Sequence, residues 1–340
     1  MCVMILIDLR KCECMPNVLT HGLMAQRVFE TLSEGDVVSA IKAHPQVFKF
    51  ASNGPDFLFY YNAWPWMDQD EAKRVSEYGE QMHRGRVNQF VDTMIDLANK
   101  QNQVAAKRIM IAFVAGYLCH WALDSVAHPF IFYRSGSMAG NLKYYHFRYE
   151  SNLDVKMVRD VFKLKLKDYP TRSFLNMTHN QEDVVAFLVS ESHKKTYESD
   201  ITKEECLLSM KHAKSILVPL FDPTGVMYSI TRGVERVAAN NLWKFSSHMV
   251  SSNIDESYDE LNLKRSLWKN PAEPSLTSNA TFLDLFDESI DRGFDALEYL
   301  EKVLKGEVSS MAPVIMDRNF NSGHSTFIEM FEFDNIYLKK

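Results

Sequence analysis

The sequence has few cysteines, and their positions exclude a disulfide framework. The 340 residues include five cysteines, an odd number that is too small and too scattered to staple a chain of this length. Cys12 and Cys14 form a lone C-x-C pair, which is a weak zinc motif because no second pair accompanies it. We therefore expect a protein of a reducing compartment, with Cys119 packed as a small apolar residue.

The sequence also has no excess of positive charge. It contains 38 lysines and arginines against 44 acidic residues, for a formal net charge of −6. A protein that binds nucleic acid needs a basic surface, and no local basic patch stands out. We therefore expect no nucleic-acid partner. The hydrophobic content of 46% is sufficient for a large buried core, which excludes a disordered or fibrous protein.

No segment has the pattern of a membrane anchor or a secretion signal. Residues 1–9 are apolar, but Asp8 interrupts them, positive charges follow them, and no small-residue cleavage site is evident. The apolar run 109–123 is short for a membrane span and contains His120, so we expect a buried core helix there. We therefore expect a cytoplasmic protein without a signal peptide or a transmembrane helix.

Alternating strand patterns are scarce, whereas apolar residues recur at helical spacing in most of the chain. Thr202 and Glu205 have the spacing of a capping box, which predicts a helix from there through Leu217. The segment 282–304 predicts a long amphipathic helix that Gly306 ends. The sequence therefore predicts an all-α fold.

Histidines and carboxylates recur four residues apart in one part of the chain. The first set is His120, Asp124 and His128, and the second is His146, Glu150 and Asp154. Residues four apart lie on one face of a helix, about one turn from each other. Each set therefore predicts a stripe of nitrogen and oxygen donors, which is typical of a metal-dependent hydrolase.

Pro129 predicts where the first of these helices ends. A residue before proline is disfavoured in helical geometry, so we expect His128 at the helix C-terminus. The turn 135–140 then brings the second helix back beside the first. Facing helices build metal sites in a shared pocket.

The four-residue spacing alone is a weak signal. With 11 histidines and 44 acidic residues among 340, about one or two such pairs arise by chance. A third pair, His179 with Asp183, lies in a polar stretch where a solvated role is expected. Asp124 follows an apolar run, where an unpaired carboxylate is costly. A structural His–Asp hydrogen bond is the alternative, but it does not account for the clustering with His146 and Glu150.

Four motifs, taken in order, resemble the zinc-dependent phospholipase C family. They are Thr20-His21, the box from Gly54-Pro55-Asp56 to Tyr60, the run from Gly116 to Pro129, and His146 with Glu150. Their order and approximate spacing match from Met15 to about Asp154, and the ordered set is more specific than any one motif. The resemblance, to a bacterial member without secretion features, implies an all-helical fold of the phospholipase C and P1 nuclease type, with zinc in a cleft between helices.

The resemblance also implies the ligands of two to three zinc ions. One ion would take Asp56, His83, His120 and Asp124. The second would take His128, His146 and Glu150, an open set of the kind that a catalytic zinc has. The third would take His21 and Asp124, and secreted relatives complete it with a processed N-terminal tryptophan that is not evident here. Asp56 would be a ligand, the catalytic base or both, and Phe57 would lie near the choline headgroup.

The resemblance divides the chain into three parts. Because Met15 and the two residues after it resemble the start of shorter relatives, residues 1–14 are expected to be an N-terminal extension or a miscalled start. Residues 15–165 would form the metal-binding phospholipase C-like core. Residues 166–340 would continue the same domain as helices, with a polar surface loop at about 253–280.

The implied function is hydrolysis of a phospholipid headgroup phosphodiester by metal-activated water. The partner would be a phospholipid or another phosphodiester, with peripheral membrane contact through exposed aromatic residues of the cluster 57–66, although core packing is the commoner fate of such residues. Alternatives are hydrolysis of a soluble phosphoester or single-stranded nucleic acid on the same fold, and a non-catalytic, zinc-stabilised helical interaction protein. His324 is expected at the surface, and the oligomeric state is left open.

Overall fold

A computed structural model describes residues 18–239 and 241–339 of the chain. Within these residues the secondary structure is helical apart from four two-residue strands, so the prediction of an all-α fold is confirmed. The predictions for residues 1–14 and for a signal peptide lie outside the described residues.

The helices follow one another closely along the chain. Those of the first half are α1 Val18–Thr31, α2 Asp36–Ala43, α3 Pro45–Ala51, α4 Gln69–Arg84, α5 Val87–Lys100, α6 Val104–Ser135 and α7 Lys143–Lys156. Those of the second half are α8 Arg172–Leu175, α9 His179–Tyr197, α10 Lys203–Leu220, α11 Val226–Ala238, α12 Phe282–Leu304 and α13 Ala312–Ile315. A short 3₁₀ helix, Asp56–Tyr60, connects α3 to α4.

The strands form two small pairs. Strand β1, Phe221–Asp222, pairs in parallel with β2, Val250–Ser251. Strand β3, Trp268–Lys269, pairs antiparallel with β4, Thr277–Ser278. Pairs this short do not form a sheet with a core of its own, so the helices supply the buried core.

Helix α6 lies at the centre of the molecule. Every residue from Ile109 to Ser135 is buried, and α2, α3, α5, α9 and α12 pack around it. A helix that is apolar on all sides is stable when it is surrounded by other elements. Of the described helices, α6 is the one that is long and apolar enough to cross a membrane, and its apolar window is wholly buried inside the protein.

The prediction that His128 ends its helix is wrong, because α6 continues through Pro129 to Ser135. A proline inside a helix removes the hydrogen bond to the carbonyl four residues earlier, here that of Ser125. Gly323 approaches that carbonyl with φ of +70°, and a Cβ at Gly323 would lie 2.4 Å from its oxygen. The packing around α6 outweighs the local preference before proline, and the turn at Gly323 covers the carbonyl that Pro129 leaves without a helical partner.

The segment 253–280 differs in part from the predicted surface loop. It contains no helix, but Glu260 and Asn262 within it are fully buried. The Glu260 carboxylate accepts hydrogen bonds from Asn152 at 2.7 Å and from the Lys156 ammonium at 2.6 Å, both on α7. Glu260 of this segment thus pairs with polar groups of α7, and these bonds fix the helix that carries His146 and Glu150.

Two helix boundaries agree closely with the sequence signals. Thr202 and Glu205 form a reciprocal capping box at the start of α10, which ends at Leu220, three residues beyond the predicted Leu217. Helix α12 has the predicted bounds, and Gly306 just after it adopts φ of +73°. The capping chemistry therefore identified these helix ends correctly.

Candidate metal centre

The fold brings all eight predicted metal ligands to one place. His21 comes from α1, Asp56 from the 3₁₀ helix, and His83 from α4. Helix α6 contributes His120, Asp124 and His128, and α7 contributes His146 and Glu150. All eight side chains are buried, with residue exposures of 0 to 7%. Four helices and one 3₁₀ turn therefore meet around a polar cluster inside the core.

Asp124 is the centre of this cluster. Its Oδ1 lies 3.2 Å from His21 Nε2 and 3.4 Å from His128 Nε2, and its Oδ2 lies 3.0 Å from His120 Nε2. One carboxylate thus touches three histidines, including one histidine from each of the three predicted ligand groups. This arrangement is suited to a bridging ligand.

Two further carboxylates organise the remaining histidines. Asp56 Oδ1 lies 3.1 Å from His83 Nε2 and 3.5 Å from His120 Nε2. Glu150 Oε1 lies 3.3 Å from His146 Nε2 and 3.7 Å from His128 Nε2. Both groups combine histidine nitrogens with a carboxylate oxygen, the donor set that zinc prefers.

The buried donor atoms fit a metal ion. Seven of them form no hydrogen bond with any described residue: Asp56 Oδ1, His83 Nε2, His120 Nε2, Asp124 Oδ2, His146 Nε2, and both Glu150 carboxylate oxygens. Buried polar atoms are rarely left without a partner, because each one costs about 1–3 kcal/mol. Within the described chain, two sets of three donor atoms lie within 4.8 Å of one another: His21, His120 and Asp124, and Asp56, His83 and His120.

Hydrogen bonds at the opposite ring nitrogens orient three of the histidines. The Nδ1 atoms contact the Gly79 carbonyl at 2.8 Å for His83, the Phe320 carbonyl at 3.0 Å for His128, and Ser135 Oγ at 2.9 Å for His146. A carbonyl can only accept, so Nδ1 of His83 and of His128 carries the proton in the neutral ring. The lone pair of Nε2 then faces the carboxylates and is free to bind a metal.

The charges in the cluster shift the pKa values of its members in opposite directions. Burial alone would raise the pKa of Asp124, but the charges of His120, His128 and His21 outweigh it and hold the pKa well below its usual range. Burial lowers the pKa of His120, but Asp124 and Asp56 outweigh it and raise the pKa to about 10. In the metal-free protein a proton on His120 balances nearby carboxylate charge, whereas burial and the charge of His120 lower the pKa of His21. A bound cation would displace the proton on His120.

The conformation and surroundings of Gly54 explain why the first residue of the Gly54-Pro55-Asp56 motif is a glycine. It adopts φ of +50°, and a Cβ there would lie 2.0 Å from His120 Cδ2. Only glycine accepts both this conformation and this contact without strain. The motif therefore places Asp56 at the cluster and lets the backbone pass directly over the His120 ring.

Asp154 does not extend the donor stripe of His146 and Glu150, as the four-residue spacing suggested. Its carboxylate accepts hydrogen bonds from the backbone of Leu19 at 3.0 Å and of Thr20 at 2.7 Å, and from Thr20 Oγ1 at 2.7 Å. These are the free N–H groups at the start of α1. Burial raises the pKa of Asp154 to about 7. Asp154 therefore anchors the helix that carries His21.

Phe320 lies against the centre and was not identified from the sequence. Its backbone N–H donates to the His83 carbonyl at 2.9 Å, and its carbonyl accepts from His128. Its ring centroid is 4.9 Å from that of His83 and 5.5 Å from that of His120. A phenylalanine far along the chain carries no local signal of such a role, so sequence reasoning had no means of finding it.

The aromatic cluster 57–66 divides between core and surface. Phe57, Phe59 and Tyr60 are buried, whereas Trp66 is 67% exposed. Phe57 packs on Phe50 at 5.4 Å between ring centroids and lines a small cavity beside Asp56. This cavity of about 20 Å³ has room for about one water molecule. The role of Phe57 in headgroup binding stays a prediction.

Two other histidines lie outside the cluster. His179 is fully exposed and pairs with Glu182, and Asp183 pairs with Lys203, so the prediction of a solvated role for this pair is confirmed. The His324 side chain is 22% exposed and lies 3.8 Å from Glu273. His324 is thus partly buried, and it is absent from the donor groups found among the described residues.

Replacing Asp124 with asparagine should remove zinc from more than one position. Asparagine is uncharged and cannot supply the negative charge that Asp124 places among three histidines. We therefore expect the zinc content to fall to about one ion per chain or none. Mass spectrometry of the metal content measures this. Asp183→Asn is the matched control, because it has the same spacing from a histidine on an exposed surface. A full zinc content in folded Asp124→Asn would show that Asp124 is not a bridging ligand.

Replacing Phe320 with alanine should weaken zinc binding without removing a ligand. The ring holds the segment whose carbonyl orients His128, and loss of such outer contacts lowers metal affinity about 10- to 100-fold. Competition with a chromophoric chelator measures the affinity. The control is Phe327→Ala, which makes the same change at a side chain that is 55% exposed. Unchanged affinity in folded Phe320→Ala would contradict the assignment.

Comparison with known proteins agrees with this centre. The sequence model of the family described as zinc dependent phospholipase C matches residues 20–203, which is more than half of the chain and includes all eight clustered residues. No curated protein matches the chain, and no solved structure does. The extent of the family match is sufficient to assign the family. The chain belongs to the zinc-dependent phospholipase C family.

Proposed function

We propose that this protein is a zinc-dependent phosphodiesterase of the phospholipase C type, which releases the phosphorylated headgroup of a phospholipid. The observation that carries the proposal is the contact of Asp124 with histidines of three donor groups in a buried cluster. Its zinc ligands would be Asp56, His83, His120 and Asp124 for one ion, His128, His146 and Glu150 for a second, and His21 with Asp124 for a third. Bound zinc supplies Lewis acidity, which draws charge from phosphoryl oxygens and makes water a better nucleophile at neutral pH.

Asp56 is the proposed base. It stands between the cluster and the small cavity, because Oδ1 faces His83 and His120 while the residue also lines the cavity. Burial would raise its pKa, but the charges of His120 and His83 lower it. Asp56 is therefore ionised at neutral pH, and its position allows it to orient a water in that cavity. It would accept the proton of a water that zinc makes more acidic. The departing alcohol takes its proton from solvent.

Phe57 and Tyr60 line the same cavity and form the proposed contact surface for the substrate headgroup. Aromatic faces attract the quaternary ammonium of a choline headgroup. The cavity is small, so headgroup entry needs movement of the residues around it, among which are Leu175 of α8 and Leu217 of α10. Peripheral contact with a membrane would bring the headgroup to the residues around this cavity.

A non-catalytic protein stabilised by zinc is the second candidate. The observation that favours it is the low exposure of the cluster, at most 7% for any of the eight residues. In that case the metal would hold the helices together, and no position would be open to water or substrate. Hydrolysis of a soluble phosphoester on the same centre would instead retain catalysis and change the substrate.

The deciding experiment is release of phosphocholine from phosphatidylcholine micelles by the zinc-loaded protein, with and without a chelator. We expect release that the chelator abolishes and that Asp124→Asn lacks, whereas Asp183→Asn retains it. An oligonucleotide and a soluble phosphodiester are tested in parallel. No release from a folded, zinc-loaded protein would contradict the phospholipase proposal, and cleavage of only a soluble substrate would move the activity to that class.

A further inference from the structure

Helix α11 presents its apolar residues to solvent. Val226 is 57% exposed, Met227 48%, Ile230 49% and Val237 86%. These side chains, with Gly233 between them, lie along one side of the helix at spacings of three and four residues. A surface helix normally turns its apolar side toward the core, whereas α11 turns its apolar side toward solvent and its polar side toward the core.

Specific polar contacts on the buried side fix this orientation. The Arg232 guanidinium donates to the carbonyls of Asn241 at 2.6 Å and Leu242 at 3.2 Å. The Glu235 carboxylate accepts from the backbone of Ser246 at 3.0 Å and of Lys244 at 3.2 Å. A rotation of α11 that buried the apolar stripe would break all of these hydrogen bonds. The backbone groups that Arg232 and Glu235 now bind would then lose their partners.

The buried side is also held by a cationic side chain of α7. The Arg148 guanidinium lies over the Tyr228 ring at 4.4 Å from its centroid. Arg148 itself is 1% exposed, so this contact is part of the interior. These contacts fix the rotation of α11 about its axis, so the exposed apolar stripe is a stable feature of the fold.

Helix α11 itself exposes one charged residue, which is basic, and Asp255 of the following segment lies across a surface pocket from it. Glu235 and Arg232 are buried, so Arg236 is the one exposed charged residue of α11. The chain as a whole carries a net charge of −6, which makes a helix side without a carboxylate distinctive. An exposed apolar stripe bordered by a basic side chain is compatible with a helix that lies in a membrane interface, where the apolar side enters the acyl boundary and the cation meets the phosphates.

We propose that α11 docks on the surface of a phospholipid bilayer, with the stripe Val226, Met227, Ile230 and Val237 in the interface. The choice of a bilayer rests on the proposed function, whose substrate is a membrane lipid. Arg236 would lie at the level of the lipid phosphates. Helix α11 follows α10 after five residues, and α10 lines the cavity beside Asp56 through Ala213 and Leu217.

The dimensions of α11 argue against a second copy of this chain as the partner. A helix of 13 residues is about 20 Å long and about 10 Å wide, so one side offers roughly 200 Å². A stable protein interface buries about 800 Å² on each partner. Insertion into a lipid interface needs no such minimum, because each buried CH₂ group contributes to binding by itself.

The test is co-sedimentation of the full-length protein with vesicles of phosphatidylcholine that contain phosphatidylglycerol. We expect the unmodified protein to bind and Ile230→Glu and Val237→Glu each to lower the partition coefficient at least about tenfold, because a carboxylate replaces apolar contact. Val104→Glu is the matched control, since Val104 is 66% exposed on another helix, and it should bind as the unmodified protein does.

Activity on a monomeric short-chain phosphatidylcholine separates this inference from the proposed function. We expect Ile230→Glu to hydrolyse that soluble substrate at the unmodified rate while it loses activity on vesicles. Loss of vesicle binding in a protein that hydrolyses no phospholipid would support the docking surface and contradict the function. Equal vesicle binding by Ile230→Glu, no binding by the unmodified protein, or a change of oligomeric mass in the variant would overturn the docking proposal.

Discussion

The buried carboxylate of Asp124 is the constraint on which the arrangement of the helices depends. An ionised carboxylate inside a protein carries a desolvation penalty of several kcal/mol unless opposite charge surrounds it. Here Asp124 and Asp56 raise the pKa of His120, which supplies that charge, and the Nε2 atoms of His21 on α1 and of His120 and His128 on α6 all lie within 3.4 Å of the carboxylate. Because those partners belong to separate helices, the same contacts that neutralise Asp124 also fix α1 against α6. Asp56 contacts His83 of α4 in the same way, and Glu150 of α7 contacts His128 of α6. The polar centre therefore fixes how these helices pack within the apolar core.

The residues beyond the family match complete the centre. Phe320 bonds through its backbone to His83 and His128, and Glu260 pairs with Lys156 of the helix that carries Glu150. Neither residue lies within the matched range 20–203. The C-terminal part therefore orients histidine rings of the cluster and fixes α7. Contacts of this kind around a metal site tune its affinity for the metal.

The sequence predicted the parts of the fold and centre that depend on local spacing. The four-residue repeat placed His120, Asp124 and His128 on one face of α6, and the capping box predicted the start of α10. It did not predict that α6 passes through Pro129, because the packing of neighbouring helices and the turn at Gly323 outweigh a local preference. Asp154 has the spacing of a ligand but caps α1, since a carboxylate serves metals and helix N-termini equally well. The contact of Phe320 and the outward stripe of α11 depend on tertiary structure and have no local signal.

Anomalous X-ray diffraction at the zinc absorption edge, on crystals of the zinc-loaded protein, would locate any zinc bound in the cluster. We expect anomalous peaks inside it, about 2.0–2.2 Å from carboxylate oxygens and histidine Nε2 atoms. One peak should lie among Asp56, His83 and His120, and another should have Asp124 among its ligands. Peaks confined to surface histidines, with the cluster filled by protons and hydrogen bonds alone, would contradict the claim that this buried centre is a zinc site.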